Sequence, residues 1–201
     1  MGEEQYKYKK IYEGEGVYRR NGKEDVDDRI RNKYGHENNG KKFIKFIRTQ
    51  IKPTSIIDVG CGHNEFCKMA HSKMDIMTVG VDFACPSADV IASAEKMPFQ
   101  EKEFDLLTSF DTLEHIPERE LGAVFQEFKR VSNQFFVQAA LRQAPSTIDG
   151  EKLHPCVRKA GWWIKKIKAW GGDIKQISYY TRKGISTESQ AKKLIIWGSY
   201  L

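Results

Sequence analysis

Gly60-Cys61-Gly62, directly after the apolar run Ile56-Ile57-Asp58-Val59, is where the residue types of this chain most nearly dictate a chemistry. Apolar β-branched residues make a buried strand. Glycines just past its end let the backbone turn sharply and come close to a ligand. Twenty-two residues past Gly60 a second strand pattern, Met77 to Val81, ends in Asp82. A glycine turn with an acid one strand later reads as a nucleotide-type ligand held across two strand ends, the acid on ribose hydroxyls.

A second constellation overlaps the first. Cys61, His63, Cys67 and His71 have the residue types of a zinc cluster. Cys61, however, lies inside the glycine turn, and none of the four cysteines (Cys61, Cys67, Cys85, Cys156) forms the tight C-x-x-C pair usual in such sites. The thiols read as reduced packing residues, and no metal is expected.

The elements that must position these residues alternate. The pattern predicts a helix over Lys41 to Arg48, with Phe43, Ile44 and Ile47 inward, stopped by Pro53. Five strands follow: Ile56–Val59, Met77–Val81, Asp89–Ser93, Phe104–Phe110 and Gln134–Leu141. Helices are predicted over Asn64 to Ser72, Glu118 to Val131 and Val157 to Trp170, the last ended by Gly171-Gly172. Only six residues separate Asp82 from Asp89, too few for a crossover helix, so the third strand is expected to be short or at the sheet edge. Ile174–Thr181 and Lys192–Gly198 read as a final antiparallel pair, joined without a helix. The result is an α/β layered sheet, parallel over its first five strands. Asp25 to Tyr34 reads as a short helix, within a polar, tyrosine-bearing stretch of residues 1–35. We divide the chain into an N-terminal arm with helices, residues 1–50, that can serve as a lid, and a domain over 51–201.

With 201 residues there is room for one domain with a real core. The net charge of +6 is uneven: residues 1–53 carry +5, residues 54–150 carry −7 and residues 151–201 carry +8. An acidic middle suits a cationic cofactor and basic ends suit an anionic acceptor, although solvated helix faces also carry such charge. No run approaches eighteen apolar residues, and the N-terminus lacks the apolar core of a signal peptide, so a cytoplasmic protein without membrane contact is expected.

Six blocks in order resemble the class I S-adenosylmethionine-dependent methyltransferases: Asp58 to Gly62, Gly80-Val81-Asp82, Ala94 to Phe99, Phe104 to Leu107, Leu113 to Pro117 and Phe128 to Val131. The resemblance covers about residues 55–140. It implies a Rossmann-like seven-stranded mixed sheet, order 3-2-1-4-5-7-6 with strand 7 antiparallel, and S-adenosyl-L-methionine as cofactor. A dinucleotide-binding fold is the competitor, but its turn runs G-x-G-x-x-G, and Glu65 stands where its third glycine would be.

Carried over by position, the resemblance assigns the cofactor to Asp58, Gly60, Cys61, Gly62, Asp82, Phe83, Ser93, Ala94, Glu95, Phe110 and Asp111. Asp82 would accept the ribose hydroxyls, Ala94 and Glu95 would lie along adenine, and Phe110 and Asp111 would border the methionine part. Three positions depart from the family pattern. Asn64 replaces a third glycine, Ser93 an acid before Ala94, and Ser132-Asn133-Gln134 a Pro-Gly-Gly. Asn tolerates left-handed angles, so the turn is expected to survive. Methyl transfer needs a base only when the acceptor loses a proton. His115 and His154 are the catalytic candidates, and His154, Arg158, Tyr18 and Arg19 the acceptor-binding ones. The expected acceptor is a small molecule, saccharide or nucleotide-type metabolite, acted on by a monomer or homodimer. The alternatives are a nucleic-acid methyltransferase that uses the basic flanks and an inactive methyltransferase-like binding subunit.

Overall fold

The computed structural model describes residues 3–13, 18–20, 23–24, 40–144, 146–181 and 184–200. The helix expected at Asp25 to Tyr34 lies outside them. In chain order the elements are α1 (Glu3–Tyr12), β1 (Tyr18–Arg20) and β2 (Lys23–Glu24). Next comes α2, a helix built of three unlike turns: 3-10 (Lys41–Phe43), α (Ile44–Phe46) and π (Ile47–Ile51). Then follow β3 (Ser55–Val59), α3 (Glu65–Met74), β4 (Met77–Asp82), β5 (Val90–Ile91), β6 (Phe104–Phe110), α4 (Leu121–Val131) and β7 (Ser132–Ala140). The chain ends with β8 (Ser146–Ile148), β9 (Glu151–Lys152), α5 (Ala160–Ala169), β10 (Gly172–Thr181), β11 (Gly184–Ile185) and β12 (Lys193–Tyr200).

The main sheet has the order β11-β10-β12-β7-β6-β3-β4-β5. The strands expected as one to seven are β3, β4, β5, β6, β7, β10 and β12. Their order is the expected 3-2-1-4-5-7-6, with β12 antiparallel to both neighbours and β3, β4, β5, β6 and β7 parallel. β5 is short and at the edge, as the six-residue connection requires. β11 adds a hairpin strand beyond β10 that the periodicity does not show. A second, four-stranded sheet, β2-β1-β8-β9, was also not predicted. Its strands are two or three residues long, too short for a period-2 signal.

Alternation along the strands sets the two faces. Ile57, Leu107, Phe135, Val137 and Ile196 join one core with α4 and α5, while Ile56, Leu106, Phe136 and Ile195 join another with α2 and α3. Side chains two apart share a face of the pleat, so consecutive residues must serve different cores. Helices cover both faces, as a parallel sheet needs. α2 is therefore part of the sheet's own packing: Phe43 lies 5.1 Å from the Phe136 ring. Left-handed Lys52 stops it just ahead of Pro53.

Two helix starts fall later than expected. α4 begins at Leu121, three residues after Glu118, because Pro117 to Glu120 forms a turn. α5 begins at Ala160, because Lys159 before it is extended. It ends where expected, with Gly171 at φ 92°. Trp163 on α5 is fully buried in the first core. Trp163→Ala is expected to cost about 3–5 kcal/mol, the range for emptying an aromatic site, measured as a lower urea midpoint at unchanged slope.

Arg130 on α4 explains two of the sequence blocks at once. Its guanidinium donates to the carbonyls of Phe99 (2.7 Å) and Met97 (3.0 Å), while Glu127 pairs with Arg130 and accepts the Met97 amide at 2.6 Å. The 92–103 connection has no helix, and these bonds hold it on α4. The Ser132-Asn133-Gln134 departure is also accommodated: Ser132 hydroxyl donates to the Phe128 carbonyl (2.8 Å), and β7 starts directly at the helix end.

Candidate active site

The carboxyl ends of β3, β4, β6 and β7 bring the candidate residues to one edge of the sheet, where parallel α/β folds place ligands. The glycine turn leaves β3 with Gly60 at φ 77° and Gly62 at φ 54°. Amides of Gly60 and Cys61 both donate to the Val81 carbonyl, at 2.8 and 3.1 Å, tying the turn to β4. A Cβ on Gly60 would stand 2.2 Å from Thr112 Oγ1, so the backbone here runs where only glycine fits. Asn64 takes the left-handed conformation, φ 64°, that the missing third glycine would have held. Its amide donates to Asp89 at 2.8 Å, and Asp89 also accepts the Gly80 amide at 2.7 Å. Asp89 thus braces the turn, a role the sequence reading did not give it.

Asp82 ends β4 and is 4% exposed. Its Oδ1 accepts the amides of Ala84 and Cys85, both at 2.9 Å. Its Oδ2 accepts the Gly62 amide at 3.1 Å and, weakly, the Tyr12 hydroxyl at 3.4 Å. One carboxylate therefore holds the turn, its own loop and α1. Tyr12 occupies the direction in which a ligand hydroxyl would approach Oδ2. Phe83 lies beside it, 5.3 Å from the Tyr8 ring.

Asp58 is 3% exposed and accepts the Thr108 hydroxyl at 2.7 Å. Burial raises its carboxyl from the usual 3.8 to about 7, the Thr108 bond opposing and the Asp82 charge adding to the rise. A carboxyl raised on folding stabilises fully below its unfolded value and loses that contribution as pH rises to its folded value. The wild type should lose about 1.4 kcal/mol per pH unit relative to Asp58→Asn between roughly pH 4 and 7. Paired urea titrations across that window read the difference, and parallel curves for the two proteins would disprove it.

The other cofactor candidates divide. Cys61 and Cys67 are buried thiols held well above the usual range, by burial first and the Asp58 charge second, and so are packing groups. Ser93 accepts the Glu95 amide at 3.3 Å and bridges to Lys96. Ala94 packs against the first core, and burial raises the Glu95 carboxyl. Phe110 turns into the second core, 4.9 Å from the Phe66 ring. Asp111, at φ 54°, bonds Lys193.

His115 and His154, 39 residues apart in sequence, come together with ring centroids at 4.6 Å. Burial and the neighbouring imidazole hold His115 down to about 3, and burial lowers His154. Both rings are therefore neutral, and His115, held this low, is a weak proton acceptor. Tyr8 of α1 reaches His115 Nδ1 at 2.7 Å. Arg158 is engaged by Glu118 (3.0 and 2.5 Å) and lies over the Trp162 ring. The backbones of Tyr18 and Arg19 pair with β8, through Ile148 and Thr147. Glu114 is 1% exposed and sits with the two histidines. Its signal was only its place in the Leu113-Glu114-His115 block.

Residues 57–134 match the family described as Methyltransferase domain. No curated protein matches the chain. Among solved structures, a protein from Pyrococcus horikoshii OT3 is similar with a TM-score of 0.65 at 15% identity, over 87% of this chain and 98% of that one. The 1,6-didemethyltoxoflavin-N1-methyltransferase of Burkholderia thailandensis, solved with 1,6-didemethyltoxoflavin and S-adenosylhomocysteine, is similar at 0.65 and 11% identity, over 86% and 82%. The magnesium protoporphyrin IX methyltransferase of Synechocystis PCC 6803, with S-adenosylhomocysteine, is similar at 0.62 and 13% identity, over 98% and 93%.

Proposed function

The chain carries a class I S-adenosylmethionine-dependent methyltransferase domain, and we propose that it methylates a small-molecule acceptor held beside His115 and His154. The one observation that carries the acceptor reading is the position of α1. Tyr12 reaches Asp82 at the cofactor end, and Tyr8 reaches His115 at the other. Tyr8 and Ile11 are buried against Ile148 and Leu153, which anchors this roof. A roofed site favours an acceptor small enough to be enclosed, and enclosure keeps water from the reacting atoms. In this reading α1, rather than the whole 1–50 arm, is the lid, since α2 packs on the sheet.

The residues fit the cofactor. Gly60 and Gly62 hold the turn in left-handed backbone, and at Gly60 a Cβ would meet Thr112. The Asp82 carboxylate, with about four acceptor directions, has room for a ribose hydroxyl where Tyr12 now stands. When bound, the cofactor supplies a methyl activated by its sulfonium. In this reading Ser93, Ala94 and Glu95 border adenine, and Asp58 and Asp111 lend the negative charge a cationic ligand favours. His154, where its ring is free of another ligand, takes the acceptor's proton if it has one to lose; His115 is too weak a base for that role. Tyr12 is a further cofactor-proximal residue that sequence reasoning left in the arm.

The fold carries no described helix long and apolar enough to cross a membrane. A cytoplasmic monomer or homodimer is our proposal. The basic ends, +5 and +8, keep nucleic acid as the second reading. Transfer of label from the labelled cofactor into fractions of a host extract tests both. Label in small molecules supports the proposal. Label in nucleic acid, with binding that falls steeply as salt rises, overturns it in favour of the second reading.

A further inference from the structure

Glu114 and His115 sit in the 3-10 turn Leu113–His115 after β6, and His154 follows β9. One ligand atom from each residue lies within 4.8 Å of the other two, and this is the metal-competent grouping among the described residues. Cys61, His63, Cys67 and His71, the cluster suggested by residue type, do not form one.

The Glu114 carboxylate lacks what a buried charge requires. It is 1% exposed, and neither oxygen has a hydrogen-bond partner among the described residues. Burial, and after it the Asp111 charge, raises the Glu114 carboxyl above its usual range; the amides of Glu114 and Ala140 oppose that rise without completing a bond. Lys193, whose charge also reaches this carboxylate, bonds Asp111 instead. Asp111 Oδ1 is itself buried without a partner. The charge of Lys42 reaches Asp111 as well, so among the described residues both cations favour Asp111 and none bonds Glu114. A carboxyl buried without a cation stays protonated, and a bound cation would stabilise its charged form.

The imidazoles are oriented as metal ligands are. His154 Nδ1 faces the Arg142 carbonyl at 3.2 Å, an acceptor only, so Nδ1 carries the proton and Nε2 the lone pair. Tyr8 donates its hydroxyl proton to the Leu153 carbonyl at 3.1 Å, which leaves its oxygen to accept from His115 Nδ1 at 2.7 Å. The same tautomer follows. A ring N–H donated to a carbonyl or hydroxyl oxygen is the usual outer support of a metal-binding histidine.

We propose that Glu114, His115 and His154 bind a first-row divalent cation, Zn²⁺ foremost, as a two-histidine, one-carboxylate site. Imidazole nitrogens favour such metals over Mg²⁺ or Ca²⁺, which prefer oxygen throughout. Three protein ligands leave a fourth position open for water or for a heteroatom of the acceptor. That last use rests on the small-molecule reading above; the metal site itself does not.

The test uses the full chain, stripped with a chelator and then titrated with Zn²⁺ by calorimetry and with Co²⁺ by visible absorption. The expected result is one equivalent per chain and a raised melting temperature. Co²⁺ should show ligand-field bands without the intense near-ultraviolet absorption of thiolate ligation. Glu114→Gln and His154→Ala should each weaken binding by at least about tenfold, and Cys67→Ala should leave it unchanged. S-adenosylhomocysteine binding is measured on every variant as the check on folding and on the methyltransferase reading. Glu114→Gln keeps shape and volume, so the test stands if His154→Ala fails to fold. No stoichiometric binding at micromolar metal by a protein that binds S-adenosylhomocysteine overturns the proposal. So does affinity unchanged in Glu114→Gln, or lost in Cys67→Ala.

Discussion

Asp82→Ala is expected to weaken cofactor binding by at least about tenfold. Asp82 offers its Oδ2 to a ligand while three backbone amides, those of Gly62, Ala84 and Cys85, hold it in place. Bonds to a charged acceptor contribute about 1.5–3 kcal/mol each. Loss of the one ribose bond for which Oδ2 has room then weakens binding by roughly tenfold to a hundredfold. The variant should also be less stable, because the three amides lose their common acceptor at the tip of β4. Calorimetry with S-adenosylhomocysteine measures the first effect, and urea unfolding the second. A variant that binds within threefold of wild type would remove Asp82 from the site. Asp82→Asn separates the two effects. It keeps one carbonyl oxygen for an amide but loses the charge, so binding should suffer more than stability.

Gly60→Ala is the other substitution with a large expected effect. The position has φ 77°, and the added Cβ would meet Thr112 Oγ1 at 2.2 Å and Cγ2 at 2.3 Å. Left-handed strain costs on the order of 1–3 kcal/mol, and the clash adds about 1–3 kcal/mol more as in other overpacked sites. Thr112 lies in the loop that leads to Glu114 and His115, so relief of the clash must move that loop. Both stability and S-adenosylhomocysteine affinity should fall. Thr112→Ala in the same chain removes the two nearest clashing atoms but leaves the Thr112 Cβ, 2.7 Å away, and the strain, so it should restore only part of the loss. Full restoration would show that backbone conformation is not what requires glycine here.

Much of the cofactor half was legible because it is local. Strand, turn and acid lie within Ile56 to Asp82, and the pleat fixes where Asp58 and Asp82 stand once β3 and β4 pair in parallel. The Asn64 departure was readable for the same reason, since left-handed tolerance belongs to the residue itself. The short β5 followed from counting residues between Asp82 and Asp89. Helix starts were less legible. Pro117 and Pro155 each precede a few non-helical residues, and periodicity cannot tell these from a first turn.

The other half belongs to tertiary structure. Nothing local joins Tyr8 to His115, Tyr12 to Asp82, or Lys193 to Asp111. These pairs are 70 or more residues apart and meet only when α1 and β12 dock on the sheet. Phe110 illustrates the limit. Its place after the β6 core suggested a cofactor neighbour, but the pleat turns its ring toward Phe43 and Phe66. The Glu114 carboxylate is the strongest case. In sequence it is one acid in a turn, and only burial away from water turns it into a charge in need of a partner. The sequence alone therefore determined the strands of the main sheet other than β11, its parallel run and its closing antiparallel pair, because these rest on residue type and short spacing, and its family resemblance supplied their order. The packing of distant elements decided what encloses the acceptor and which buried charges stand together, because desolvation exists only in the folded chain.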